Sequence, residues 1–146
     1  MATLLAGDAL LARAEAALAV ALPDALGVEF VDPSDPLAGV VLEVAGIGVT
    51  PAATLHGSAL AAVCELAGYL AVLPTLTSAE HAVTHQLSLQ YLRGAGVGQR
   101  VRVDAELARR TRSVAFVGVT ARLEQDGEQD GTVVAQGQIT KSIVAF

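Results

Sequence analysis

The sequence lacks tryptophan, has a single cysteine, and contains only 3% aromatic residues among its 146 residues. With Cys64 alone, the chain cannot form an intramolecular disulfide, and no second cysteine stands near it to build a thiolate zinc site. A reducing cytoplasm is therefore the expected compartment. Basic residues are also scarce, 9 against 15 acidic ones, which gives a net charge of -6. This balance argues against general nucleic-acid binding, because neutralising phosphates requires a basic surface.

No targeting or membrane segment is predicted. The N-terminal stretch is apolar, but it lacks a basic start and is interrupted by Asp8, Arg13 and Glu15, so it is expected to be an amphipathic helix rather than a signal peptide. A chain of this length can bury about 70% of the surface that its unfolded form exposes. Residues 1–146 are therefore expected to form a single domain.

Apolar periodicity predicts an α+β fold. It indicates an N-terminal helix over Leu4–Leu22 ended by Pro23, two short strands, and a five-turn helix opening at His56 that is apolar nearly all round. That second helix approaches membrane-spanning length, but Glu65 lies at its centre, which favours a buried core helix. Four strand-like segments follow and are interpreted as an antiparallel meander. The predicted strands are Val28–Val31, Gly39–Val44, Ala82–Leu92, Gln99–Arg110, Ser113–Glu124 and Thr132–Val144.

Apolar and polar residues alternate along a predicted strand, as expected for a sheet with one buried face. Arg100 and Arg102 alternate with Val101 and Val103, which is a period of two. The polar link 126–131, with its two Asp-Gly pairs, predicts a hairpin turn. Together these patterns predict a twisted antiparallel sheet of about six strands wrapped around one long buried helix, plus the N-terminal helix.

Glu65 is the first candidate functional residue because it lies in the most apolar segment of the chain. An unpaired buried carboxylate is costly, so this residue is expected to be protonated, paired with a cation, or directed into a cavity where it acts as a base or nucleophile. The alternative is that Glu65 faces solvent at the edge of the helix.

The sequence His56-Gly57-Ser58 opens the same helix. The first backbone N–H groups of a helix have no internal acceptor, and glycine lets a substrate oxygen approach them closely. The alternative is ordinary capping by Thr54 or Ser58. Because Gly57 and Glu65 are eight positions apart, they are separated by about 12 Å along one helix. A site that uses both on one carbonyl therefore requires a homodimer with two equivalent sites.

Several short motifs together resemble one known family. They are His56-Gly57-Ser58 with an acid nine positions after the histidine, VTHQLSLQYLR, the basic turn RRTRSVAF and the closing AQGQITKSI. In this order and spacing, from about Gly39 to Ser142, they resemble the hotdog-fold acyl-CoA thioesterases of the phenylacetate-pathway and human thioesterase-superfamily-member type. The resemblance implies a hotdog fold and hydrolysis of an acyl-CoA. No cofactor is predicted, and the residues support no metal site.

The resemblance also implies roles for individual residues. The Gly57 amide would polarise the thioester carbonyl, Glu65 of the neighbouring subunit would act as base or nucleophile, and Thr84 would help to hold the water. His56, Ser58 and Thr50 complete the predicted substrate-binding set at the helix start.

The basic turn implies a contact with the nucleotide end of coenzyme A. This role falls on Arg112, with Arg109 and Arg110 as further candidates, because guanidinium groups suit phosphate. The alternative for these arginines is the solvated face of a strand. No nucleic-acid or membrane partner is predicted, and dimers that pair into tetramers remain open.

The sequence departs from the family pattern at four positions. Thr50 replaces an asparagine, Ala53 and Ser58 replace glycines, and Thr111 replaces the glycine of the turn. The departures at Thr50, Ala53 and Thr111 keep open an acyl-CoA-binding protein that senses or sequesters its ligand without chemistry. A third possibility is a hydratase or dehydratase of the same fold that uses His56 and Glu65.

Two other residue types are expected to have structural roles. Cys64 is expected to be a packing residue, since a lone cysteine in an apolar helix has no base beside it. His85 is predicted to share a strand face with Val83, Leu87 and Leu89, as a core or interface histidine.

Overall fold

A computed structural model describes residues 2–125 and 131–146, and within them a six-stranded antiparallel sheet packs on one long helix. The predicted order of helix, two strands, helix and four strands is confirmed. The predicted hairpin turn at 126–130 lies outside the described residues. The helices are α1 (Gly7–Ala19), α2 (Ala21–Leu26) and α3 (Gly57–Val72), and the strands are β1 (Glu29–Phe30), β2 (Val40–Glu43), β3 (Glu80–Tyr91), β4 (Arg100–Arg110), β5 (Val114–Glu124) and β6 (Val133–Ala145).

The strands are arranged in the order β1-β2-β4-β5-β6-β3. Strands β4, β5 and β6 form the predicted meander, but β3 pairs with β6 instead of β4, so the prediction of a four-strand meander is wrong. The link between β3 and β4 is a crossover that runs along the residues before α3. There the Leu55 amide donates to the Ala95 carbonyl (2.8 Å) and the Val97 amide to the Ala53 carbonyl (3.1 Å).

The N-terminal helical segment is broken where one continuous helix was predicted. Val20 is extended, with ψ of 160°, and separates α1 from α2. Pro23 lies in the first turn of α2 instead of ending the helix, since the amides of a first turn have no acceptor within the helix and proline is tolerated there. Gly27, with φ of 72°, ends α2.

Helix α3 fills the concave side of the sheet, as its all-round apolar character predicts. Leu60, Val63 and Leu70 are buried against strand residues that include Val101 and Val103. The segment Gly57–Thr75 is long and apolar enough to span a membrane by composition, and its packing under the sheet accounts for that character. Helices α1 and α2 lie on the remaining side of α3.

The pairing of β3 with β6 depends on Gly137. A Cβ atom at this position would overlap the Ser88 carbonyl oxygen and lie 2.9 Å from the Leu89 Cα atom. Because backbone atoms cannot move aside, we expect Gly137→Ala to lower the free energy of unfolding by about 2–3 kcal/mol in urea denaturation.

Gly118→Ala is the matched control for that prediction, because a Cβ atom in β5 would approach only the Glu106 carbonyl oxygen, at 4.0 Å. Equal stability of the two variants would contradict the proposed overlap at Gly137.

Candidate active site

Glu65 lies on the wall of a cavity of about 660 Å³ between α3 and the N-terminal helices. The residue is half-buried. Apolar residues from α1, α2 and α3 form much of the wall, and β3 and β6 close one side. The lining residues are Arg13, Ala16, Ala17, Val20, Leu22, Pro23, Ala62, Glu65, Leu66, Tyr69, His81, Ala82, Val83, Thr84 and Lys141.

Thr84 lies on the same cavity, in β3, with Lys141 beside it in β6. Lys141 is only 3% exposed, and its Nζ atom donates to Thr84 Oγ1 at 3.0 Å. A Cβ atom at Gly68 would lie 3.5 Å from the lysine Cε atom, so the stem of the lysine packs beneath α3. The structure therefore brings a carboxylate, a hydroxyl and an ammonium group to one cavity.

Burial and neighbouring charges shift the pKa values of two basic groups in this cavity. Burial lowers the pKa of Lys141, and the negative charge of Glu65 opposes that shift. The pKa of His81 is lowered by burial first and then by the positive charges of Arg13 and Lys141. His81 Nδ1 and the Tyr69 hydroxyl are hydrogen-bonded at 3.2 Å.

The start of α3 lies on a second cavity, of about 430 Å³, whose wall includes Gly57, Thr50 and Tyr91. The helix is capped by His56, whose Nδ1 accepts from the Ser58 amide at 3.3 Å; the alternative of capping by Thr54 or Ser58 is therefore wrong. The Tyr91 hydroxyl donates to the Gly57 carbonyl oxygen at 2.8 Å. Within the described residues, Gly57 and Glu65 line different cavities of one chain.

A tight turn precedes the helix start. Thr50 Oγ1 lies 2.9 Å from Thr54 Oγ1 and accepts from the Ala52 amide at 3.2 Å. Ala53 adopts φ of 59°, the only non-glycine residue with a positive φ among the described residues. This is the position where the family pattern has glycine, which adopts such a conformation without a steric cost.

The three candidate arginines lie around the turn between β4 and β5, and they are in different environments. Arg109 and Arg112 are exposed. Arg110 donates to Thr75 Oγ1 at 3.2 Å and lies 3.9 Å from the Glu80 carboxylate, so its guanidinium is already engaged within the fold. Thr111 closes the turn, because its Oγ1 accepts from the Val114 amide at 3.1 Å.

The predictions for Cys64 and His85 have different outcomes. Cys64 is 1% exposed and burial raises the pKa of its thiol to about 12, which confirms a packing role and leaves almost no thiolate at neutral pH. The predicted grouping of His85 with Leu87 and Leu89 is wrong, because a bulge between Thr84 and Gln86 changes the alternation of β3. His85 is exposed and lies 2.9 Å from Ser142 Oγ.

Among residues 2–125 and 131–146, no group of three His, Cys, Asp or Glu side chains is placed to hold a metal ion. The polar groups of the two cavities are instead suited to binding and to acid–base chemistry.

Comparison with known proteins identifies the class. The model of the thioesterase superfamily matches residues 52–129, and the chain belongs to that family. Its architecture is the hotdog fold, as the resemblance implied. A comparison with curated proteins finds no match. The phenylacetate-pathway type stays a prediction.

Solved structures share the fold at low sequence identity. A thioesterase from Haemophilus influenzae is 18% identical, with a TM-score of 0.79 over 99% of this chain and 96% of that one. A Pseudomonas aeruginosa thioesterase, solved as a mutant, is 24% identical, with a TM-score of 0.74 over 93% and 94%. A Bacillus halodurans protein solved with CoA is 24% identical, with a TM-score of 0.71 over 92% and 83%.

Lys141 and Tyr91 are among the residues of these cavities that the sequence did not predict as site residues. The signal for Lys141 is present in the sequence, since it interrupts a period-two apolar pattern between Ile139 and Ile143. It also lies beyond the segment that the family model matches. Tyr91 carries no comparable local signal, because its contact with Gly57 spans 34 positions of sequence.

We expect Ala53→Gly to stabilise the fold by about 0.5 kcal/mol. Glycine removes the steric cost of the left-handed conformation, about 1–2 kcal/mol, and part of that gain is offset by the greater freedom of the unfolded chain. Urea denaturation measures the change. Ala52→Gly, at the neighbouring exposed residue, is the control and is expected to destabilise the fold. Stabilisation by both substitutions, or by neither, would contradict the assignment of strain to Ala53.

Proposed function

We propose that this protein hydrolyses an acyl-CoA thioester to the free acid and CoA. The observation that carries the proposal is the placement of Glu65 and Thr84 on one cavity with apolar walls. Membership of the thioesterase superfamily supports it, as does the fold shared with a protein that was solved with CoA.

Glu65, Thr84 and Gly57 each have one role in the proposed hydrolysis. Glu65 takes a proton from water held by Thr84, and the resulting hydroxide attacks the thioester carbon. The charge that develops on the carbonyl oxygen is stabilised by the Gly57 amide at the positive end of α3. Collapse of the tetrahedral intermediate breaks the carbon–sulfur bond, and the CoA sulfur receives the proton from Glu65. Direct attack by the carboxylate is the other mechanism open to the same residue.

Two copies of the chain would form each site, because the Gly57 and Glu65 cavities are distinct within one copy. Strand β3 supports this arrangement. It is the last strand of the sheet order and pairs with β6 alone among the described residues. A free edge of 12 residues is a template for pairing with another chain.

The two cavities meet β3 at different positions along the strand. Thr84 lies on the Glu65 cavity, whereas Tyr91 contacts Gly57, and about 23 Å of strand separates them. When two β3 edges pair antiparallel about a twofold axis near Leu87 and Ser88, Tyr91 of one copy lies opposite Thr84 of the other. The helix start of one copy then faces the Glu65 cavity of the second.

The nucleotide end of CoA is assigned to the exposed arginines of the β4–β5 turn. Arg112 and Arg109 have exposed guanidinium groups that phosphate can reach. Arg110 is a weaker candidate because Thr75 and Glu80 already engage its side chain.

Removal of the Glu65 carboxylate should abolish most of the activity. We expect Glu65→Gln, which preserves the shape of the side chain, to lower kcat by about 10²–10⁴-fold because the proton acceptor is lost. Release of free thiol from short, medium, long and aromatic acyl-CoAs measures it.

Glu106→Gln is the matched control, since Glu106 is an exposed carboxylate of β4 outside the Glu65 cavity. Full activity in Glu65→Gln would remove the assignment. Tight acyl-CoA binding with no turnover by the wild type on the whole panel would instead favour a binding or sensing protein.

Pairing through β3 is tested by single cysteines on its exposed face. In a Cys64→Ala background, Gln86→Cys, Ser88→Cys and Gln90→Cys are introduced one at a time, and all three positions are exposed. We expect a covalent dimer on mild oxidation, strongest at the position nearest the twofold axis, because facing side chains of antiparallel strands lie about 5 Å apart. The non-reducing gel is read beside sedimentation of the unmodified protein, and a monomer in solution with no cross-link at any position would refute the shared site.

A further inference from the structure

Lys141 is the only lysine of the chain, and it lies in an unusual environment. It is 3% exposed, its stem packs beneath Gly68, and its Nζ atom lies 5.8 Å from the centre of the Tyr69 ring. Its hydrogen-bond partner within the described residues is Thr84 Oγ1, at 3.0 Å. A cation held so deeply is costly to the fold unless it is well compensated.

The hydrogen bond between Lys141 and Thr84 has a defined direction. An ammonium group can only donate, so the threonine oxygen must accept and its own hydrogen must point elsewhere. Thr84 lies on the cavity that also contains Glu65. The threonine hydroxyl is therefore a donor available to that cavity, and the adjacent positive charge strengthens it as a donor.

We propose that Lys141 is a positioning residue for hydrolysis: its ammonium group orients the Thr84 hydroxyl so that it donates to the water that Glu65 deprotonates. This inference rests on the proposed thioesterase function. The water then accepts from Thr84 and donates to Glu65, which leaves one lone pair of its oxygen directed at the thioester carbon. Lys141 does not touch substrate and acts through Thr84.

The charged and titratable groups around Lys141 come from three elements. Helix α3 contributes Glu65 and Tyr69, β3 contributes His81, and α1 contributes Arg13 at the far wall of the cavity. Its neighbour across β5 is the apolar Ala115. Arg13 is engaged elsewhere, since it donates to the carbonyl oxygens of Glu80 (2.8 Å) and Ser78 (3.0 Å). Glu65 is thus the anionic group of the described residues that faces Lys141 across the cavity.

A double-mutant cycle tests whether Lys141 acts through Thr84. Lys141→Met keeps the length of the stem without the charge, and Thr84→Val keeps the shape without the hydroxyl. We expect each to lower kcat by about 10- to 100-fold, the range for loss of a charge-assisted hydrogen bond, with KM changed by less than about threefold. The double variant should be no slower than the slower single variant. Multiplicative losses in the double variant, or wild-type kcat in Lys141→Met, would overturn the proposal.

Stability and rescue separate positioning from a structural role. Removing a buried charge should leave Lys141→Met at least as stable as the wild type in urea denaturation, although its kcat falls. Lys141→Arg, which keeps a charged donor, should recover a large part of the lost kcat. A drop in kcat that follows a drop in stability, with no recovery in Lys141→Arg, would assign Lys141 a structural role only. Thr84→Val gives the same kinetic comparison if Lys141→Met does not fold.

A spectroscopic readout is independent of turnover. Because the chain has one lysine, ¹³C-labelled lysine gives a single ε-carbon resonance in the folded protein. We expect it to titrate below the ordinary value of 10.5, because burial lowers the pKa of Lys141. Glu65→Gln should lower that pKa further, since the opposing negative charge is lost. An unchanged titration in Glu65→Gln would refute the electrostatic pairing of Glu65 with Lys141.

These readouts distinguish the two proposals. A wild type that hydrolyses no acyl-CoA removes the thioesterase function, and with it the positioning role, whatever the titration of Lys141. An active wild type whose kcat survives Lys141→Met removes the positioning role alone.

Discussion

The packing of α3 against the sheet determines where the groups of the Glu65 cavity lie. One side of the helix is buried by apolar residues such as Val63 and Leu70, which fixes its rotation and directs Glu65 toward the N-terminal helices. The same packing places Gly68 over Lys141. A side chain larger than glycine there would meet Ile139 at 3.1 Å and the lysine stem at 3.5 Å, so the approach of helix to sheet and the position of the cation depend on one another.

The elements of this fold could be predicted from local patterns, because periodicity records which faces are buried. The apolar circumference of α3 and the alternation around Val101 and Val103 are direct consequences of their packing. The partner of β3 could not be predicted in this way, since an alternating strand indicates a buried face but does not specify its neighbour. The break at Val20 follows from Pro23, which fits the first turn of a helix but not its interior. The bulge between Thr84 and Gln86 has no comparable signal in the sequence.

Only part of the candidate site could be predicted from the sequence. Glu65 could be identified because a single acid in an apolar helix is conspicuous, and Gly57 because it follows a capping residue. Their separation of eight positions already required two copies of the chain under the proposed mechanism. The structure adds a physical connection between the two cavities, since β3 carries Thr84 close to its middle and Tyr91, which contacts Gly57, at its last residue.

Lys141 in β6 and Glu65 in α3 are charged residues that interrupt the apolar patterns of their own elements, and both line the same cavity. Each places a charged group where the surrounding periodicity calls for an apolar one, and the burial of Lys141 costs the fold desolvation energy that a methionine would avoid. Charged residues at apolar positions of both a helix and a strand, brought together on one cavity, are typical of a functional site rather than of core packing. Under the proposed mechanism, Thr84, which accepts a hydrogen bond from Lys141 on that cavity, is positioned by a cation that the fold keeps at a cost in stability.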